Sequence, residues 1–249
     1  MIKTNKLLEK LKIDALFIAS HPDDIEITCG GTCNKLVRDG KKVGIVDLTE
    51  GELSTKGNTE TRNKETGKAS KVLGIHFREN LGLQDGNIQN NLDNRNKLIK
   101  IIRTLKPEIV FAPYPNDRHP DHINASNLIR ESVFFSGLKK IEVENLKPYR
   151  PRRVFYYRHA YDFPISFIFD ISDVFDTKIK AILCYSSQFY NPKNNKIKKE
   201  PDTYISTKLF LDDLTHRAAF FGFKIGVKYG EPFFCYENLK IDSKNIFDI

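Results

Sequence analysis

Apolar residues in this chain gather into short unbroken runs, and between the runs they recur at helical spacing. Ala15-Leu16-Phe17-Ile18-Ala19 is one run, residues 42–49 have a near-continuous apolar centre, and residues 108–113 form another. Runs of this length without alternation mark strands buried on both faces, as parallel strands are. A weaker strand is predicted over residues 77–81. Helices are predicted over residues 32–38, closed by Gly40, and over 60–73, stopped by Gly74. A third covers 92–105, where Leu98, Ile101, Ile102 and Leu105 share a face, and a fourth runs from about residue 122 to Gly137. Strand and helix in alternation imply right-handed crossovers and an α/β fold around a parallel sheet. The last hundred residues read differently, with strands over 153–158 and 166–171, helices over 174–189 and 207–221, and a closing strand over 233–236. Leu7, Leu8 and Leu11 give residues 1–12 a helical pattern as well. No linker or internal repeat divides the sequence, so one domain is expected over residues 1–249.

Polar clusters stand where two of these strands end. His21-Pro22-Asp23-Asp24-Ile25-Glu26 follows the first run, with Gly30-Gly31-Thr32 behind it, and Asn116-Asp117-Arg118-His119-Pro120-Asp121-His122 follows the run at 108–113. Ligands of open α/β sheets bind at such strand ends. Either cluster alone is explained as well by solvated or hydrogen-bonded structural side chains. Two His-Pro-Asp clusters, each just past a buried strand, point instead to a shared site. His21 and Asp24 can grip one divalent cation, and a catalytic zinc needs a third protein ligand with one position left for water. His122 supplies it. Asp23 then lies beside the centre, free to act as a general base. His119, protonated, is placed to stabilise an oxyanion, with Asp121 or another carboxylate holding its tautomer. These are the parts of a metal-assisted hydrolase acting on an amide or ester. If the helix starts at Asp121 or His122, its positive end adds a preference for anions.

Composition changes this picture little. Of the 249 residues, 40% are hydrophobic, enough for a core, and 29% are charged, which argues for a water-facing surface. No apolar run approaches the roughly 20 residues of a membrane helix, and residues 1–12 lack the features of a secretory signal, so the cytoplasm is expected and no membrane partner. Four cysteines do not make a disulfide framework in a chain of this length. Cys29 and Cys33, spaced C-x3-C near the first cluster, read as small packing residues of a helix rather than thiolate ligands. The net charge of +8 is compatible with nucleic acid, a membrane surface or an anionic substrate. The one dense lysine run, residues 193–199, looks like a solvated loop and carries no nucleic-acid-binding signature. An anionic small molecule accounts for the charge at least as well. A Rossmann dehydrogenase would share the fold but is discounted because no G-x-G-x-x-G follows the first strand, and a basic nucleic-acid-binding module would explain the charge but leaves both clusters unexplained.

The paired motifs, from His21-Pro22-Asp23-Asp24 with Gly30-Gly31-Thr32 to His119-Pro120-Asp121-His122, resemble the LmbE/PIG-L-like family of zinc-dependent N-acetylglucosaminide deacetylases. The likeness extends over nearly the whole chain. It takes in Asp47-Leu48-Thr49-Glu50-Gly51-Glu52-Leu53-Ser54, Glu60-Thr61-Arg62, Ser187-Gln188-Phe189 and the stretch from Gly226 to Phe233. It implies a Rossmann-like, mainly parallel sheet with helices on both faces and a smaller C-terminal α+β extension. It implies His21, Asp24 and His122 as ligands of Zn2+, or of Fe2+ or another divalent metal, with Asp23 as base and His119 at the oxyanion. It further implies Arg62 as a substrate contact and Tyr204 as a group that helps polarise the carbonyl. Within the family the chain is similar to the branch that deacetylates N-acetylglucosaminyl-L-malate in bacillithiol synthesis. The sugar would then sit on a lip formed by Asp24, Glu26 and the 50–54 loop with Ser54, and the malate would meet Arg62 and Arg118. Expected partners are therefore an anionic sugar substrate and further copies of the chain in a homo-oligomer. Deacetylation of another glycoside or of a chitin-type oligomer is the alternative.

Overall fold

The computed structural model describes residues 11–190, 201–240 and 242. The lysine run at 193–199 lies outside them, as does the expected N-terminal helix except for Leu11 and Lys12. In chain order the elements are β1 (Ala15–Ala19), α1 (Asp24–Arg38), β2 (Val43–Thr49), α2 (Thr59–Leu73), β3 (Phe77–Leu83), α3 (Leu92–Leu105) and β4 (Ile109–Pro113). Then follow α4 (Pro120–Ser136), β5 (Arg153–Tyr157), β6 (Phe167–Asp170), α5 (Phe175–Ile182), α6 (Lys208–Phe223) and β7 (Gly230–Phe234). All seven strands join one sheet in the order β3-β2-β1-β4-β5-β7-β6. The first five pair in parallel, and β7 runs antiparallel to both β5 and β6. The C-terminal extension is thus the antiparallel edge of the same sheet.

Residue alternation along β1 explains the layers. Leu16 and Ile18 face one core with Leu98, Ile102, Leu128 and Ile129 of α3 and α4. Ala15, Phe17 and Ala19 face the other, with Ile25, Cys29 and Cys33 of α1 and Ala181 of α5. The sheet is therefore covered by helices on both faces, and both cysteines are packing residues with free thiols. From β1 the chain steps outward to β2 and β3, then returns to place β4 on the other side of β1. That reversal opens a crevice beyond the carboxyl ends of β1 and β4, the switch point where open α/β sheets bind ligands. Both His-Pro-Asp clusters lie there.

Helix α1 differs from expectation in a way that matters to the site. It begins at Asp24, not near Thr32, and is broken at Cys29, whose φ is −135°. The glycines lie inside it because a Cβ on Gly31 would stand 2.8 Å from the Ile171 side chain. The break frees backbone donors, and buried Glu231 of β7 takes them: Gly31 N at 3.0 Å, Thr32 N at 2.7 Å and Thr32 Oγ1 at 2.6 Å. The second half of α1 thus has its own cap, which is why a start near Thr32 could be read from the sequence. Lys178 of α5, also buried, balances the glutamate at 2.5 Å and donates to Thr28 O. Helix α5 ends at Ile182 instead of Phe189, because Ser186 and Ser187 bind the Glu65 carboxylate instead of continuing the helix. The closing strand is shifted to Gly230–Phe234 and slots between β5 and β6.

Glu231→Ala strands the Lys178 ammonium in the core and uncaps the break in α1. The expected loss is about 3–5 kcal/mol in urea unfolding, most of it recovered when Lys178→Met and Glu231→Leu are combined. A loss below about 1 kcal/mol would mean that water reaches and solvates the pair.

Candidate metal centre and active site

The loop after β1 is fixed before it reaches its functional residues. Ser20 O accepts hydrogen bonds from the backbone N–H and the hydroxyl of Thr49 at the end of β2. Asp23 then adopts φ 106°, a left-handed conformation that costs a non-glycine residue energy and marks a constrained site. It is the N-cap position of α1, so Asp24 enters the first turn of the helix. Across the crevice His119 is the N-cap of α4, with Pro120 at its first position and His122 one turn in.

His21, Asp24 and His122 bring one ligand atom each within 4.8 Å of one another. His21 Nδ1 is 3.5 Å from Asp24 Oδ2, and His122 Nε2 is 3.6 Å from Asp24 Oδ1. Ligands bonded at 2.0–2.2 Å in a tetrahedron stand about 3.4 Å apart, so this spacing fits a cation. The other imidazole nitrogens fit it too. His21 Nε2 meets Asp85 Oδ1 at 3.0 Å and Asp121 Oδ2 at 3.3 Å, while His122 Nδ1 meets Asp117 Oδ1 at 3.0 Å. A carboxylate behind each imidazole fixes the ring and leaves the facing nitrogen for a metal. Two imidazoles and a carboxylate suit Zn2+, and also Fe2+. A second convergent group among the described residues is His21 with His119 and Asp121, in which the Asp121 carboxylate is already bonded to His21 Nε2.

Electrostatics point the same way. Burial pulls the His122 imidazole down, but Asp24 and Asp117 outweigh it and raise its pKa to about 9. Burial likewise opposes, and bonds to Asp121, Asp24 and Asp85 overcome, a shift that leaves His21 well above its ordinary value. Burial pushes Asp24 up, yet the imidazoles around it hold it well below the usual range. The crevice therefore draws positive charge to the place where His21, Asp24 and His122 converge. Asp23 differs. Burial, with Asp24 and Glu26 nearby, pushes it up to about 7 against the pull of Arg62.

Arg62 is buried, donating from Nη1 to Pro22 O at 2.6 Å and Asp23 Oδ2 at 3.0 Å, and from Nη2 to Ser54 Oγ at 2.7 Å. It thus holds Asp23, and Ser54 in turn holds Arg62. His119 Nδ1 accepts the backbone N–H of Asp121, which leaves the ring proton on Nε2. Burial and the neighbouring imidazoles lower its pKa, which favours a neutral ring facing the cavity over the protonated one expected from the sequence. The Asp121 carboxylate does not orient His119. It binds His21 and accepts Gly86 N and Ile88 N, because α4 turns it toward the 85–88 loop. Glu26 is not on the sugar-binding lip either: the first turn of α1 points it into the core, against Arg78 Nη1 and Tyr185 Oη. Tyr204 stands at the rim, half exposed, with its hydroxyl on Asp213. Arg118 is exposed on the cavity wall.

The cavity above the centre holds about 680 Å³ and is also lined by Leu53, Arg158, Arg217 and Gln188. Sequence reasoning missed Asp85, Asp117, Arg158, His159 and Arg217. Asp117 was legible, since it lies in the second cluster five residues before His122. His159 offered one signal, its position two residues past the end of β5. Its ring stacks on His122 at 3.9 Å and 23°, and burial followed by the charge of His122 lowers its pKa to about 3.

Stripped of metal, the protein should lose stability as pH rises from about 6.5 to about 9. Folded His122 keeps a proton there that the unfolded chain has released, so its contribution, on the order of 3 kcal/mol, is complete below 6.5 and gone above 9. Metal loading should flatten this slope, because a ligand imidazole is already deprotonated. Urea unfolding of chelator-treated and metal-loaded protein at the two pH values checks this. A flat metal-free profile would show His122 neutral beside Asp24.

Residues 16–133 match the family described as PIG-L, GlcNAc-PI de-N-acetylase. The diacetylchitobiose deacetylase of Thermococcus kodakarensis is 33% identical over 189 residues, covering 70% of this chain and 69% of that protein. The structure of a conserved protein from Thermus thermophilus superimposes with a TM-score of 0.82 at 38% identity, over 92% of this chain and 97% of that one. The structure of the N,N'-diacetylchitobiose deacetylase from Pyrococcus horikoshii gives a TM-score of 0.78 at 30% identity, over 97% and 94%.

Proposed function

The chain belongs to the PIG-L family of de-N-acetylases, and on that premise we propose that it hydrolyses the acetamide of an N-acetylglucosaminide, releasing acetate and the free amine. The observation that carries this reading is the convergence of His21, Asp24 and His122 beside an Asp23 that Arg62 holds in a strained backbone conformation. A divalent cation, which we take to be zinc, held by His21, Asp24 and His122 would polarise the acetamide carbonyl and acidify a water. Asp23 takes the proton of the attacking water and returns it to the departing nitrogen. Its raised pKa suits both transfers, since a base poised near neutrality gives a proton back as readily as it accepts one. Arg62 keeps that carboxylate from turning into the cation's place. His119 donates from Nε2 to the oxygen on which negative charge develops. Asp85, Asp117 and Asp121 keep the imidazoles of His21 and His122 in register.

The substrate we favour is N-acetylglucosaminyl-L-malate. Arg118, Arg158 and Arg217 all line the cavity; Arg62 is engaged with Asp23, Arg158 pairs with Asp162 and Arg217 holds the His159 carbonyl, so Arg118 is the wall arginine most open to a dicarboxylate. A second reading, deacetylation of a chitin-type oligomer, is favoured by the diacetylchitobiose deacetylases to which the chain is similar.

Asp23→Asn should bind metal as the parent does and lose about 10²–10⁴-fold in kcat. Metal analysis of the purified variant, alongside acetate release, checks both halves; an empty variant would make Asp23 a ligand. For the substrate, acetate release is compared on N-acetylglucosaminyl-L-malate, N,N'-diacetylchitobiose and free N-acetylglucosamine. The malate glycoside should have the highest kcat/KM, with the preference shrinking roughly tenfold in Arg118→Ala, the share of a single charge-assisted contact. Equal rates on all three would remove malate, and a preference for the disaccharide would install the second reading.

A further inference from the structure

Nearly every atom that would hold the cation is itself held from behind. His21 Nε2 has Asp85 and Asp121, and His122 Nδ1 has Asp117. Asp24 Oδ2 accepts the His21 backbone N–H at 2.9 Å. Asp24 Oδ1 is the exception. Among the described residues it faces two imidazole nitrogens, His122 Nε2 at 3.6 Å and His159 Nε2 at 3.9 Å. The first points at the cation's place and cannot also serve as a donor to the carboxylate. The second is buried and has no hydrogen-bond partner.

We propose that His159 is a positioning residue of the metal centre, its Nε2–H donating to Asp24 Oδ1 and setting the plane of that carboxylate. The inference rests on the reading of His21, Asp24 and His122 as the centre. His159 is not a further ligand, since it is absent from the groups whose ligand atoms converge within 4.8 Å. Its place is fixed from three sides. Asp117 orients His122 with one oxygen and accepts the Ala160 N–H at 3.0 Å with the other, so one carboxylate sets both rings. Arg217 of α6 donates to His159 O at 3.1 Å. The ring stacks on His122, at 3.9 Å, and meets Tyr157 edge-on, at 5.3 Å. A ring held this firmly leaves its Nε2 unsatisfied and 3.9 Å from Asp24 Oδ1, a gap that a small turn of the carboxylate closes into a hydrogen bond. Ligating carboxylates ordinarily accept such a bond, and its loss weakens metal binding.

The test measures Zn2+ affinity of chelator-stripped protein by competition with a chromophoric chelator, and the visible absorption of the Co2+ form. His159→Phe keeps the stack on His122 and loses the donor, while His159→Gln returns an N–H near the Nε2 position. The phenylalanine variant should bind Zn2+ about 10–100-fold more weakly and show an altered Co2+ spectrum. The glutamine variant should recover much of both, and the metal-free proteins should unfold at the same temperature. Parental affinity and spectrum in His159→Phe overturn the inference, as does a glutamine variant no better than phenylalanine. Should neither variant fold, imidazole 15N spectra of the zinc-loaded parent decide: a proton on His159 Nε2 supports the assignment, and a bare nitrogen refutes it. A parent that binds no Zn2+ removes the centre itself, an outcome distinct from all of these.

Discussion

Asp24 governs this structure, because its carboxylate cannot be buried at the β1–β4 switch point without positive charge on every side. His21 and His122 approach it from the segments after β1 and β4, about a hundred residues apart in sequence, and each is backed by a carboxylate of its own. Asp85 comes from the turn after β3, Asp117 from the loop after β4, and Asp121 from the start of α4. The active crevice is therefore one connected set of alternating acids and imidazoles. In a low-dielectric setting, removing one member leaves its neighbour charged and unpaired. The parallel sheet brings the set together, since side-by-side strands deliver their carboxyl ends, and the loops that follow, to one edge.

That edge also separates two aspartates that sequence places next to each other. Asp24 has helical geometry and points toward the imidazoles, whereas Asp23 has a left-handed backbone and points toward Arg62. Adjacent carboxylates on a regular helix would diverge by about 100° and share one environment. The strained turn gives them different ones, so one is held ionised by imidazoles and the other is left near neutrality by burial. A ligand and a base can then differ by position alone. Arg62 pins the strained turn through Pro22 O as well as through the Asp23 side chain, and Ser54 ties the arginine to the loop after β2.

Much of this was legible from the residues. Uninterrupted apolar runs gave β1, β2 and β4, and the polar clusters after two of them gave His21, Asp24 and His122. Their convergence needs only that both strands be parallel neighbours. What could not be read was direction. Glu26 belongs to the motif by sequence, yet two residues after Asp24 on a helix lies nearly opposite it, and the side chain enters the core to meet Arg78. Asp121 sits beside His122 but supports His21, because helical geometry separates successive side chains. The start of α1 was misread because a glycine pair looks like a break, and the compensating cap, Glu231, lies two hundred residues away. His159 carried no motif, and its place beside Asp24 follows only from β5 pairing with β4.

The crevice divides its labour along the chain. The proposed ligands, base and oxyanion donor come from residues before 123, all within the stretch that matches the family. The cavity walls above them draw on Arg158, Tyr204, Asp213 and Arg217, from the antiparallel third and α6. Nothing in the chemistry of amide hydrolysis constrains those walls, so they can vary while the centre stays fixed. Motifs such as His21-Pro22-Asp23-Asp24 therefore speak to the reaction and say little about the aglycone. The two parts meet at Arg217, which lines the cavity and holds the His159 carbonyl. Through that bond a change in the cavity wall reaches a residue packed against His122, so on the proposed reading recognition and reactivity do not vary independently.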